Sequence, residues 1–284
     1  MTFWLVQAFN GLSFAMLLFL LAAGLSLIFG LMGIINLAHG SYYLLGAYVG
    51  LSVIKKTDSF LLAIVCAIVA VTIVGIIMQR FFLSRFYKNE LAQVLLTFGF
   101  LFIIADLALW TWGGNPQALP KPSLFEESYR FGGIVIPSYR IFVIGVGLLV
   151  ALGLWIFQEK TSIGAIIRAG VDDEEMTRGL GINMPLLFTL VFALGAALAA
   201  LAGVIGGPFV GVYPGVDFEI LLLAFVVVII GGLGSLKGAF VGSLIVGLLD
   251  NFGKALFPEM SLFTIFAPMV IILAVKPTGL FGKG

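Results

Sequence analysis

Residues 30–50 read GLMGIINLAHGSYYLLGAYVG and lie between two long apolar runs. This stretch contains Asn36, Ser41 and His39, which is the only histidine of the chain, together with several glycines. A polar side chain or an irregular backbone is tolerated at membrane depth only where it is buried in protein or lines a wet path. We therefore predict a broken or re-entrant turn beside a translocation path, with Asn36, His39 and Gly40 as candidate path residues.

The polar residues of this turn allow two interpretations. His39 either hydrogen-bonds the interrupted backbone or lines the path, or it is a satisfied buried histidine that only shapes the turn. Asn36 has the same alternatives, because an amide side chain can pair with the backbone groups that a break leaves free.

A second stretch, near the other end of the chain, has the same order of features. Residues 231–247 read GGLGSLKGAFVGSLIVG, in which a glycine cluster is followed by a Lys-Gly pair and a run rich in small residues. Two glycine-interrupted hydrophobic segments in corresponding halves indicate the central site of a transporter. Gly231, Gly232 and Gly234 are therefore further candidates for the path.

The composition indicates a membrane protein. Of 284 residues, 61% are hydrophobic and only 10% are charged, whereas soluble domains carry about 25% charged residues. The long continuous apolar runs are typical of spanning helices and not of the alternating pattern of a membrane barrel. We predict an all-α, polytopic transmembrane helix bundle with about eight to nine crossings, formed by residues 1–284 as one integral-membrane domain. A weak excess of Lys and Arg in alternate loops favours an outside N-terminus and an inside C-terminus.

Several function classes lack support in the sequence. The net charge of +1 gives no electrostatic basis for nucleic-acid binding. The chain has no phosphate-binding G-x-x-x-x-G-K-[ST] loop, no His/Cys cluster and no Ser/His/Asp set. We therefore expect no catalytic residue, no metal site and no cofactor. A transporter of this kind must use an ion gradient, borrow an ATPase or act as a channel.

The most charged part of the chain is residues 159–185, which we name the charged segment: EKTSIGAIIRAGVDDEEMTRGLGINMP. Thr161 or Ser162 can cap a first helix, and Asp172 can cap a second one with acids in its first turn. We predict one or two short helices across the cytoplasmic face of the membrane. They are either a docking surface for a soluble partner or a solvated connector.

The apolar run at residues 91–112 includes three candidate residues, Thr97, Gly99 and Asp106. Thr97 and Gly99 in LLTFGF either let helices pack closely or face the solute, and both are candidate path residues. Asp106 is an acid within an apolar run, which is a functional hypothesis by default, although it can also reach the membrane interface beside Trp110.

Residues 206–219, GGPFVGVYPGVDFE, read as a Gly/Pro loop outside the membrane. Asp217 in this loop is expected either to meet a soluble binding protein or to be solvated. Lys237 lies near the predicted inner face, where it can pair with a lipid phosphate.

Four segments together resemble one family. These are FGLMGIINLAHGSYYLLGAYVG, RAGVDDEEMTRGLGINMP, LLFTLVFALGAALAALAGVI and FVVVIIGGLGSLKGAFVGSLIVGLL. They are similar to the membrane permease subunits of branched-chain amino acid ABC importers, in particular to the member of the permease pair that carries the N-x-A-H-G turn. The resemblance covers about residues 9–275. Importers of urea and short amides use similar permeases, so these solutes are an alternative to amino acids, and an ion-coupled secondary carrier is another.

The resemblance implies partners and a location. The partners are a second related permease, two cytoplasmic ATPases and a periplasmic solute-binding protein, and the location is the bacterial inner membrane. It also implies that part of the charged segment is the coupling region that enters a groove of the ATPase. The residues that match this region are Gly164, Arg168, Ala169, Gly170, Asp172, Arg178, Leu180 and Gly181.

Overall fold

Within residues 2–125, 127–131 and 134–282, which the computed structural model describes, the chain forms eleven α-helices and one short β-hairpin. In chain order the helices are α1 (Thr2–Met32), α2 (His39–Thr57), α3 (Phe60–Ile77), α4 (Glu90–Trp112), α5 (Ser138–Lys160), α6 (Ser162–Asp172), α7 (Glu174–Gly179), α8 (Met184–Val210), α9 (Val216–Gly231), α10 (Leu236–Leu256) and α11 (Ser261–Val275). The hairpin strands are β1 (Ser128–Phe131) and β2 (Ile134–Pro137), with Ser128 opposite Pro137. The hairpin is the one exception to the predicted all-α class among the described residues.

Helices α1 and α8 form the centre of the bundle. The stretch of α1 from Ala15 to Ala23 is buried on every side, as expected of an apolar helix with no polar face. Helices α2, α5, α9 and α10 pack around this pair. The middle of α1 therefore contacts protein and not lipid.

Helices α3 and α4 bury only one stripe each, α3 against α8 and α2, and α4 against α2. The buried residues of α3 are small or β-branched and recur every four residues: Ala63, Ala67, Val71 and Gly75. The buried stripe of α4 includes Gln93 and Thr97. The opposite faces of both helices expose large apolar side chains, which suits contact with lipid or with another membrane subunit.

Seven helices are long and apolar enough to cross a membrane, namely α1, α3, α4, α5, α8, α10 and α11. Helices α2 and α9 are not among these seven. The polytopic helix bundle is confirmed, and the number of eight to nine crossings stays a prediction.

The expected loop at residues 206–219 is wrong at both ends. Helix α8 continues through Pro208 to Val210, and α9 already begins at Val216. Pro208 is two residues from the end of α8, where the loss of one backbone hydrogen bond disturbs little of the helix, and neighbouring helices support it. The connection is therefore only five residues long, and it places the start of α9 inside the bundle.

Candidate translocation path and coupling segment

The chain reverses direction after α1, as predicted. Gly33 has a φ of +66°, which favours glycine, and residues 33–38, named the re-entrant stretch, lead back into the bundle. Helix α2 begins at His39, whose ring lies beside Leu21 of α1. Leu21 is eleven residues before the end of α1, a distance of about 16 Å along the helix axis. The N-terminus of α2 therefore lies deep within the bundle.

Polar side chains satisfy the irregular backbone of the re-entrant stretch. The Asn36 Oδ1 atom accepts a hydrogen bond from the Ala38 N–H at 3.1 Å. The Thr97 hydroxyl group of α4 accepts one from the Leu37 N–H at 3.2 Å and lies 3.3 Å from the Ile35 carbonyl oxygen. Asn36 thus pairs with the backbone, as its structural interpretation predicts. Thr97 also bonds to this backbone, a role that neither interpretation of Thr97 predicted.

His39 is fully buried. Its Nε2–H donates to the Leu21 carbonyl oxygen at 3.0 Å, because a carbonyl can only accept. The other ring nitrogen, Nδ1, has no hydrogen-bond partner among the described residues. Thus Nε2 of His39 is bonded to the backbone of α1, and Nδ1 is an acceptor with no partner among the described residues.

Asp217 belongs to this polar cluster, although the sequence placed it in a solvated outer loop. It lies in the first turn of α9 and is only 2% exposed. Its carboxylate accepts from the Ser41 hydroxyl group at 3.3 Å and from the Gly215 N–H at 3.2 Å. No ion-pair partner of Asp217 occurs in the part of the chain that the structure describes.

The position of Asp217 explains how a buried carboxylate is stabilised without a cation. It lies between the first turns of α2 and α9, and both helix N-termini carry partial positive charge. Two neutral donors complete its surroundings. Part of the signal for this role is in the sequence, since Asp217 comes two residues after Gly215 at the start of an apolar run. The local pattern does not show that the N-terminus of α2 also lies beside Asp217.

We expect Asp217→Asn to destabilise the protein. The variant keeps the shape of the side chain but removes the charge that both helix N-termini stabilise, at a cost of about 1–3 kcal/mol. Thermal unfolding of the detergent-purified chain measures the effect. The matched control is Glu219→Gln, which makes the same charge change at an exposed position of the same helix. Equal melting temperatures for the two variants would contradict the assigned role of Asp217.

The second predicted break lies between α9 and α10. Gly232 and Gly234 have φ angles of +103° and +78°, so both require glycine. The backbones of Gly234 and Gly30 are in contact, and a Cβ atom at position 234 would lie 2.8 Å from the Gly30 Cα atom. The end of α1 and the second break therefore meet, which brings together the two stretches that the sequence singled out.

The C-terminal tail satisfies the carbonyl groups that this second break leaves free. The Leu280 N–H donates to the Ile230 carbonyl oxygen at 2.9 Å, and the Phe281 N–H donates to the Gly231 carbonyl oxygen at 2.8 Å. The carbonyl groups at the end of α9 are thus paired with backbone N–H groups of the tail, as a buried helix end requires.

Gly99 and Asp106 do not join the path cluster. Both lie on the exposed side of α4, whereas Thr97 is buried. No atom lies within 4 Å of a Cβ placed on Gly99, so this glycine permits no close helix contact within the chain. Asp106 is near Trp110, which is 85% exposed, as expected for a side chain that reaches the interface.

The charged segment forms two short helices, α6 and α7, as predicted. The Thr161 hydroxyl group caps α6 by accepting from the Gly164 N–H at 3.0 Å. Helix α7 is capped by Asp173, which accepts from the Met176 N–H at 2.9 Å. The expected cap at Asp172 is wrong by one residue, because α6 continues through that position.

The candidate coupling residues divide into three groups by their exposure to solvent. Gly164 and Gly170 are buried, the first against the end of α5 and the second beside Met184. Arg168 is half-buried and lies 3.9 Å from Glu159. The exposed set consists of Ala169, Asp172, Arg178, Leu180 and Gly181.

Two apolar side chains protrude from the charged segment. Met176 is 65% exposed and Leu180 is 75% exposed, although their neighbours are mostly charged or polar. Leu180 directly follows α7, and its N–H donates to the Met176 carbonyl oxygen at 3.1 Å. The two side chains are therefore one helical turn apart and lie on the same side. Sequence reasoning selected Leu180 and missed Met176, whose four-residue spacing from Leu180 was the available signal.

A cleft of about 340 Å³ lies between the charged segment, the end of α1 and the second break. Its lining includes Gly30 at the end of α1, Arg168 of α6, Gly234 of the second break, Lys237 of α10 and Phe281 of the tail. The candidate coupling residues and the glycines at the inner end of the candidate path therefore share one surface.

Comparison with known proteins agrees with this architecture. Residues 7–273 match the family model described as the permease component of branched-chain amino acid transport systems. The chain is 31% identical to the high-affinity branched-chain amino acid transport system permease protein BraD of Pseudomonas aeruginosa and 32% identical to LivH of Escherichia coli. Both alignments cover 99% of this chain and 96% of the relative.

A more distant relative and a solved structure were also found. The probable branched-chain amino acid transport permease protein LivH of Methanocaldococcus jannaschii is 25% identical, over 83% of this chain and 76% of the relative. The solved structure described as PsaBC from Streptococcus pneumoniae in complex with Fab has a TM-score of 0.50 and 17% identity, covering 95% of this chain and 91% of the other. At this identity the likeness concerns the fold alone. The family match and the seven apolar helices give the conclusion that this chain belongs to the branched-chain amino acid transport permeases, a family of multi-pass inner-membrane proteins that are not themselves enzymes.

Proposed function

We propose that this chain is a permease subunit of an ATP-driven ABC importer and forms half of the translocation path for branched-chain amino acids. The observation that carries the proposal is the cleft lined by Arg168, Gly30 and Gly234. Helix α6 also packs on the end of α1, since a Cβ atom on Gly170 would lie 3.1 Å from the Leu31 side chain. A displacement of α6 therefore acts on the helix end that precedes the re-entrant stretch and that contacts the second break. Family membership supports the solute class.

The proposed partners follow from membership of the permease family and from the lack of a nucleotide-binding loop in the sequence. ATP hydrolysis is therefore assigned to two cytoplasmic ATPases. A second related permease supplies the other half of the path, and a periplasmic solute-binding protein delivers the solute. The proposed ATPase contacts are Met176 and the exposed candidate coupling residues Ala169, Asp172, Arg178, Leu180 and Gly181, with Gly164 and Gly170 holding α6 in place.

The proposed topology has nine crossings in a single domain. Helices α2 and α9 complete the seven apolar spans, and both begin inside the bundle because a preceding stretch returns into it. An odd number of crossings puts the two termini on opposite sides of the membrane. With the C-terminus inside, as the Lys and Arg distribution favours, the N-terminus is outside and the charged segment is in the cytoplasm. Lipid surrounds the exposed faces.

The proposed path runs along the two breaks. Its outer part is assigned to Asn36, His39, Gly40 and Thr97. Its inner end is assigned to Gly231, Gly232 and Gly234. Between them is an apolar cavity of about 120 Å³ whose lining includes Ile34, Ile35 and Phe225. An apolar wall suits a branched aliphatic side chain, which needs no charged partner in order to pass.

The test is purification of the tagged chain from its native membrane in mild detergent, with mass spectrometry of the proteins that accompany it. The expected result is an ATPase and a second permease in the same complex, with ATP-dependent uptake of radiolabelled leucine after reconstitution with the binding protein. A chain that transports alone, without ATP, would replace the importer with an ion-coupled carrier. Uptake of urea but not of leucine would change the solute class.

A further inference from the structure

The connection between α3 and α4 is tied to α7 by a charge-assisted hydrogen bond. The Tyr87 hydroxyl group donates to one carboxylate oxygen of Glu174, and the other oxygen accepts from Arg178 at 2.7 Å. Burial, with the neighbouring Glu174, raises the pKa of Tyr87 to about 12. The phenol therefore keeps its proton at neutral pH and remains the donor. The Tyr87 ring also packs on Phe188 of α8, with ring centroids 5.6 Å apart.

Helix α4 begins immediately after this contact and leads to the re-entrant stretch. Asn89 caps the helix by accepting from the Ala92 N–H at 3.1 Å. Two turns further along, about 10 Å from the start of α4, Thr97 accepts the Leu37 N–H of the re-entrant stretch. One rigid helix thus has the Tyr87 contact at one end and a backbone contact with the candidate path at the other.

A cavity of about 210 Å³ lies between α7 and the re-entrant stretch. Arg178 and Tyr87 line one part of its wall, and Ile34 lines another. Packed atoms transmit a displacement, whereas a cavity does not. A route from α7 to the re-entrant stretch that is continuous in bonded and packed groups passes through Tyr87 and α4.

We propose that the Tyr87–Glu174 contact transmits movement of α7 to α4 and from there to the re-entrant stretch, so that Tyr87 and Glu174 are positioning residues of the transport cycle. The inference rests on the proposed function, in which the charged segment contacts the ATPase. Packed elements joined by specific hydrogen bonds are the structures that carry coupling between separate sites. The proposal gives the acidic run at residues 172–175 an internal role, since Glu174 acts within this chain and not on the partner.

The experiment uses the complete importer, purified with its partners and reconstituted in liposomes. The variants are Tyr87→Phe, which keeps the ring on Phe188 and removes one oxygen atom, and Glu174→Gln. The measured quantities are solute molecules transported per ATP hydrolysed, and ATPase subunits bound per permease. Each variant is expected to lower the transport ratio at least fivefold while ATP hydrolysis continues and ATPase binding stays unchanged. The double variant is expected to lower the ratio no further than the more affected single variant, because both changes remove the same contact.

The matched control is Glu175→Gln, which makes the same charge change on the same helix at an exposed position. It is expected to keep the wild-type ratio. A wild-type ratio in Tyr87→Phe would overturn the inference, as would additive losses in the double variant. Loss of the ATPase from the Tyr87→Phe complex would also overturn it, since the contact would then serve assembly. Absence of an ATPase from the wild-type complex itself would overturn the proposed function and this inference with it.

Discussion

Gly40→Ala is expected to abolish transport because the folded bundle no longer forms. Gly40 lies in the first turn of α2, where a Cβ atom would collide with the Asp217 carbonyl oxygen and lie 2.8 Å from the Leu221 Cβ atom. The first obstacle is backbone within a helix, which cannot rotate away. Overpacking costs about 1–3 kcal/mol where side chains can adjust, so we expect a larger cost here. The measurement is the yield of monodisperse chain in detergent, together with uptake.

The control for this prediction is Gly99→Ala. It is the same chemical change inside another helix, but no atom lies within 4 Å of the added Cβ. Helix propensity favours alanine over glycine by about 1 kcal/mol, so Gly99→Ala should fold at least as well as wild type. Loss of folding in both variants would show that close contact at Gly40 is not the cause.

The Met176→Glu/Leu180→Glu double variant is expected to lose its ATPase without losing its fold. Both side chains are largely exposed, so the free chain loses little when they become charged. Burial of an aliphatic side chain of this size in a partner's groove contributes about 1.5–3 kcal/mol. Because each 1.4 kcal/mol is a factor of ten in affinity, two such losses weaken binding at least about a hundredfold. Co-purified ATPase per permease is the measured quantity, with uptake expected to fall in parallel.

The control for the charged segment is Leu124→Glu. Leu124 is 81% exposed and lies in the loop that follows α4, on the proposed outer side of the membrane. It should keep both ATPase binding and expression at the wild-type level. A normal amount of ATPase bound to the double variant would contradict the assignment of Met176 and Leu180 to the ATPase contact.

Local sequence patterns located the main features of the chain. Long apolar runs predicted the helix bundle, since only helices satisfy their own backbone within lipid. Glycines next to polar residues predicted the breaks near Gly33 and Gly232. Thr161 and the charged residues that follow it predicted the two short helices of the charged segment. Each of these features depends on residues within one or two turns of each other, which is why the sequence was sufficient.

The same reasoning failed where an element is defined by a distant neighbour. Pro208 and the glycines around it read as a loop, yet packing against other helices keeps α8 intact to Val210. Gly99 had the same local context as Thr97, yet the rotation of α4 buries one and exposes the other. The hydrophobic pattern of a membrane helix does not fix this rotation, because lipid and a protein interior are both apolar.

Tertiary structure alone decided which polar groups meet. Ser41 and Asp217 are 176 residues apart in sequence, and Tyr87 and Glu174 are 87 apart. No periodicity or cap signal spans such separations, so the carboxylate between two helix N-termini and the contact from α7 to α4 were invisible in the sequence. The sequence by itself determined that the chain is a glycine-broken membrane bundle with one charged segment. The packing of α2 against α9, and the contact of α7 with Tyr87 before α4, determined which polar residues of the candidate path meet and which groups connect them to the charged segment, because a buried polar group is stable only beside the partner that the fold brings to it.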